Sequence, residues 1–148
     1  MERNVEEFAV SKSYEHALRV LRRAIKAEGL VIAAELPISE MLRSQLGVGL
    51  GRCAVLLVHC PFLLLEAMVM DSASMSLLPV HVCVSDRGGG AVIRIASPGL
   101  FDLPVTGTID PIRKTFERSR RSVRAAAAPM KPTSVPATAL AEGERLTG

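Results

Sequence analysis

Two consecutive pieces, Cys53-Ala-Val-Leu-Leu-Val-His-Cys-Pro61 and Phe62-Leu-Leu-Leu-Glu-Ala-Met-Val-Met-Asp71, decide how this chain folds. From Ala54 to Leu65 no side chain carries a formal charge, and only His59 and Cys60 bring polar chemistry. Leaving about a dozen such residues in water costs many kcal/mol at roughly 25 cal/mol per Å². The run is therefore expected inside a core or in lipid. Proline fits the first turn of a helix and is poorly tolerated within a strand. Hence the reading is a core strand up to His59, a break at Cys60-Pro61, and a helix over Phe62–Asp71.

Lipid is the weaker of the two settings. The apolar window is about 17 residues long, at the lower limit for a span, with Pro61 inside it and His59 and Glu66 at depths where polar groups are costly. A water-soluble core without a membrane span is the expectation. The opening Met1-Glu-Arg-Asn-Val-Glu-Glu7 has no apolar h-region, so no signal peptide is expected. Three cysteines, Cys53, Cys60 and Cys83, form no Cys-x-x-Cys. An odd number in apolar runs suits free thiols in a reducing, cytoplasmic setting.

Working back from Cys53, Gly47, Gly49 and Gly51 supply a turn. Neither a Lys-Ser/Thr nor a helix follows, so a phosphate loop is not indicated. Pro37 to Leu46 reads as a short helix capped near Ser39 with Ile38, Leu42 and Leu46 inward. Leu30–Glu35 reads as a strand. Before it, Tyr14, Ala17, Leu18, Leu21, Ala24 and Ile25 recur at helical spacing, with Ser13 as N-cap and Gly29 as the left-handed stop. Val5, Phe8 and Val10 make an opening strand.

Working forward, the Ser-rich run after Asp71 is a hinge ahead of Leu77-Leu78-Pro79. Val80, Val82 and Val84 then alternate with His81, Cys83 and Ser85, the mark of a half-buried strand. Asp86-Arg-Gly-Gly-Gly90 is hairpin chemistry, and Ala91–Ala96 returns. Arg94 shares a face with Val92 and Ala96, so one side of the hairpin is expected to meet solvent or a partner. Ser97-Pro98-Gly99 closes the strand and Leu100–Val105 is an irregular connector. Thr108 caps a last helix, Ile109 to Ala127, with Ile112, Phe116 and Val123 as a thin apolar stripe.

The order β-α-β-(α)-β-α-β-β-α, with a tight hairpin in it, points to an α+β fold of two layers: a mostly antiparallel sheet with helices packed on one face. The expected organisation is a single α+β domain over residues 1–104, a basic C-terminal helix over 105–127, and a disordered tail over 128–148. Charge divides along the same lines, with −1 over residues 1–104 and +4 over 105–148.

On these landmarks the chain resembles the bacterial and archaeal domain-of-unknown-function family numbered 302, over about residues 5–100. They are the Ser13-capped helix ending at Gly29-Leu30, the short helix ending Leu46-Gly47, the strand running into Cys60-Pro61, Leu77-Leu78-Pro79 before a valine-rich strand, and Pro98 after the last one. The resemblance implies a small α+β domain, often homodimeric, with no established activity. Family members commonly carry Cys-Asn at the two places where this chain has His59-Cys60 and Val80-His81.

Two functional readings follow. In the first the chain is a non-catalytic cytoplasmic homodimer that binds a small ligand or partner at its sheet or strand–helix junction. No cofactor is expected, and the catalytic sets are missing: there is no Gly-x-Ser-x-Gly, and Glu66 and Asp71, five apart, do not face each other as an acid/base pair. In the second, His59, Cys60, His81 and Cys83, with Cys53, serve a thiol- or metal-dependent redox or sulfur-handling protein. The simpler account of that set is small core thiols and hydrogen-bonded imidazoles. The basic last helix, from Arg113 to Arg124, could meet phosphate. With four Phe, one Tyr and no Trp to stack bases, and no groove-reading motif, nucleic acid is not the expected partner.

Overall fold

The structure, a computed structural model, describes residues 5–96 and 110–128. The expectations for Pro98, the Leu100–Val105 connector, the Thr108 cap and the tail beyond Ala128 lie outside the described residues. Strands β1 (Val5–Val10), β2 (Val31–Leu36), β3 (Cys53–His59), β4 (Val80–Arg87) and β5 (Gly90–Ala96) alternate with helices α1 (Tyr14–Ala27), α2 (Ile38–Leu46), α3 (Pro61–Met70) and α4 (Asp110–Ala127). The expected element order holds, with a 3-10 turn over Ser72–Leu77 as its one addition. All strands join one sheet in the order β1-β5-β4-β3-β2, and every neighbouring pair is antiparallel.

Local chemistry explains most boundaries. Ser13 Oγ accepts the His16 amide at 3.2 Å and starts α1. At the other end Gly29, at φ 73°, lets its own amide reach the Lys26 carbonyl at 3.0 Å and the Leu30 amide reach that of Ile25 at 3.1 Å. Leu30 is buried. These bonds and that contact constitute a Schellman stop. Gly88 and Gly89, at φ 49° and 87°, form the two-residue loop between paired Arg87 and Gly90. Two left-handed residues in a row match the twist of the strands they join.

Period-two alternation then sorts the sheet into faces. Ala54, Leu56 and Val58 of β3, Val80, Val82 and Val84 of β4, and Ala91, Ile93 and Ile95 of β5 share one core with Leu18, Leu21 and Ile25 of α1. Ile112, Phe116, Val123 and Ala126 of α4 belong to that same core. The intervening strand residues face the other way, and none of them joins it.

Between the apolar positions of α4, Thr115, Ser119 and Ser122 are all buried. Their hydroxyls donate back to the carbonyls of Pro111 (2.8 Å), Thr115 (2.8 Å) and Arg118 (3.0 Å). Small, self-satisfied side chains let α4 bury a polar-looking stripe at no cost in unpaired donors.

Two expectations need correction. Leu46 does not point inward: it is 69% exposed, because α2 ends there in the left-handed Gly47 and the chain turns away toward Arg52. Nor does Ser39 cap α2, which starts at Pro37 without a side-chain cap. Ser39, the second residue of α2, is instead buried and accepts the Cys53 amide at 3.1 Å, tying α2 to the start of β3.

Candidate functional site

The deciding stretch splits into two environments. In β3 the inward side chains Ala54, Leu56 and Val58 are 0–3% exposed, as expected. In α3 only Leu63 and Ala67 are buried. Phe62 is 83% exposed, Leu65 60%, Met68 58% and Val69 77%. Burial of the whole run was expected and does not occur. Apart from Glu66 the helix is apolar all round, and one side of it suffices to seat it against the fold. Periodicity cannot reveal an exposed face when every face is apolar. Phe62, Leu65 and Val69 fall at i, i+3 and i+7, with Glu66 as the one charge on that face.

The outward face of the sheet carries the residues with chemistry. His59, Leu57, Val55 and Cys53 line it on β3, while His81, Cys83 and Ser85 line it on β4. Register sets Cys53 opposite Ser85 and Val55 opposite Cys83, so the two cysteines are diagonal neighbours. Their sulfurs are 3.6 Å apart and half-buried. Ser85 lies between them, with Oγ at 3.8 Å from each sulfur. Arg94, opposite Cys83 on β5, donates from Nη1 to Ser85 Oγ at 3.3 Å and from Nε to Glu7 at 2.8 Å. Burial, and then the hydrogen bond to Cys53, push the Cys83 thiol up from its ordinary range.

The other sequence candidates do not join them. Cys60, with the opposite parity, is buried on the helix side at the head of α3, where Arg118 Nη1 donates to its sulfur at 3.4 Å. His59 lies six residues from Cys53, about 20 Å along an extended strand. His81 is opposite Leu57 and exposed. Among the described residues no three His, Cys, Asp or Glu side chains gather where a metal ion could be held. Ser85 and Arg94 are the residues that reading by motif missed. They enter through strand register alone.

The basic last helix spends its charge within the molecule. Arg120 pairs with Glu6, Arg124 reaches the same carboxylate at 4.0 Å, Arg121 meets Glu28 at 3.2 Å and Lys114 meets Asp110 at 2.9 Å. Glu6 is an inward-pointing charge on edge strand β1, a placement that discourages strand addition there. Tyr14, Glu15 and Asp86 similarly surround Arg52, whose guanidinium lies 5.0 Å from the Tyr14 ring centroid. No helix among the described residues is long and apolar enough to cross a membrane.

The family model described as domain of unknown function DUF302 matches residues 6–129. The chain belongs to the DUF302 family. That match runs past the anticipated Pro98 landmark and takes in α4. A solved structure of an uncharacterised conserved DUF302 protein from Bacillus stearothermophilus superimposes with a TM-score of 0.72. It covers 84% of this chain and 99% of that one, at 16% identity, which establishes a shared DUF302 fold. No curated protein matches.

Proposed function

We propose that this DUF302 chain is a non-catalytic, cytoplasmic module that works as a homodimer, with its partner-binding surface at the strand–helix junction where α3 begins. The observation that carries the reading is the outward stripe of Phe62, Leu65, Met68 and Val69. Together these present on the order of 500 Å² of apolar surface, near the top of the range of about 300–600 Å² for the largest patch on a monomer. A standard interface takes about 800 Å² from each partner. Met70 and Leu77, 45% and 42% exposed, are further apolar side chains left in water nearby in the sequence.

A second copy is the occupant that best fits the chemistry. The stripe offers almost no charge with which to select a foreign surface. A two-fold axis across it sets the Phe62 end of one helix against the Val69 end of its twin, so each apolar residue meets another. Sedimentation velocity from low to high micromolar concentration tests this. Dimerisation in the wild type, lost in Phe62→Glu and Val69→Glu variants of unchanged circular dichroism, is the expected result. A wild type that stays strictly monomeric at high micromolar concentration refutes it.

A further inference from the structure

We propose that Cys53 and Cys83 form a dithiol–disulfide couple on the outward face of the sheet, oxidised by exchange with a low-molecular-weight disulfide, with Cys53 attacking and Cys83 resolving. This rests on the sheet face and is independent of the α3 interface, which lies on the helix side.

The geometry supplies both the closeness and the order of events. Adjacent antiparallel strands hold the sulfurs 3.6 Å apart, so a bond of about 2.05 Å needs them to close by about 1.5 Å. The two are diagonal neighbours, about 7–8 Å apart on adjacent strands, so the closing combines side-chain rotation with a small approach of β3 and β4.

Hydrogen bonding distinguishes the two thiols. Arg94 donates to Ser85 Oγ, which leaves the Ser85 proton free to point at Cys53 Sγ. A thiolate on Cys53 also accepts the S–H of Cys83. Cys53 Sγ thus has two donors within reach, whereas at Cys83 burial outweighs the opposing pull of Ser85 and Arg94. Burial favours the neutral form of Cys83 until its neighbour has reacted.

The step balances as follows. The Cys53 thiolate attacks one sulfur of R–S–S–R, forming a mixed disulfide and expelling RS⁻, which takes up a proton. Cys83 then loses its proton and attacks the Cys53 sulfur, forming the intramolecular bond and expelling the second RSH. Two electrons pass from the protein to the small disulfide. Cys60 is on the opposite side of the sheet and takes no part.

The test uses the full chain equilibrated with oxidised glutathione under nitrogen. Thiols titrated after denaturation are expected to fall from three to one. Mass should fall by about 2 Da, the loss of two hydrogens, and the product should run as a monomer without reductant. Cleavage after Glu66 and Asp71 separates Cys83 from the other two cysteines, and Cys60→Ser must still form the bridge. Cys83→Ser should accumulate one glutathionyl group on Cys53, at least about tenfold faster than Cys53→Ser modifies Cys83. Three surviving thiols in the wild type, a bridge to Cys60, a disulfide between chains, or faster modification of Cys83 than of Cys53 each overturn the proposal.

Discussion

Leu63 and Leu65 are two residues apart on α3 and face opposite worlds: one is 6% exposed, the other 60%. Truncating each to alanine isolates what seats the helix from what the helix presents. Leu→Ala removes three carbons, about 2.4 kcal/mol at roughly 0.8 kcal/mol per buried methylene, to which a residual cavity adds. Leu63→Ala is therefore expected to cost about 3 kcal/mol. At Leu65 under half of the same carbon is out of water, no closed cavity can form, and alanine is the better helix former. That loss should be about 1 kcal/mol or less. With no Trp and a single Tyr in the chain, urea unfolding is best followed by far-UV circular dichroism at low micromolar concentration, where self-association contributes little. At a slope of about 2 kcal/mol per molar urea, the midpoint should drop by about 1.5 M for Leu63→Ala and by no more than about 0.5 M for Leu65→Ala. At high protein concentration the second variant should show its own defect, as weaker dimerisation. Equal midpoint shifts, or a larger one for Leu65→Ala, refute the claim that α3 is held by one side only.

Ser119, 1% exposed at the face of α4 that packs on the fold, should tolerate alanine within about 0.5 kcal/mol, whereas Ser119→Leu should cost about 1–3 kcal/mol by overpacking. The same unfolding assay checks both. Stability should also fall in alkali. Burial, with the hydrogen bond to Cys53 adding to it, raises the Cys83 thiol above 9.0. Burial, with the Cys53 charge adding to it, raises the Tyr14 phenol above 10.0. The folded state then keeps protons that the unfolded chain gives up. Their contribution is whole below pH 9.0 and is lost as pH rises through the folded values. Cys83→Ser should flatten the onset of the decline and Tyr14→Phe its later part, as read from denaturation midpoints between neutrality and strong alkali.

Much of this was written along the chain. Strand alternation, the Ser13 cap, the Gly29 stop, the Gly88-Gly89 loop and the break at Cys60-Pro61 are short-range matters of sterics and hydrogen bonding, settled within a few residues. Parity along β3 and β4 even fixed that Cys53 and His59 share a face and that His81 and Cys83 share one. It could not say that Cys53 meets Cys83 while His59 stays apart, because that depends on which residue of β3 pairs with which of β4. Strand order, with β5 between β1 and β4, likewise brings Glu7 and Arg94 together across most of the chain. Glu6 and Arg120 meet across the packing of α4 on the sheet. Nor did the uniform apolarity of α3 say which side would be left in water. Local signals determine what each segment is. Contacts between distant segments depend on how the whole core closes, and only the assembled sheet decided which thiols, charges and apolar faces stand next to one another.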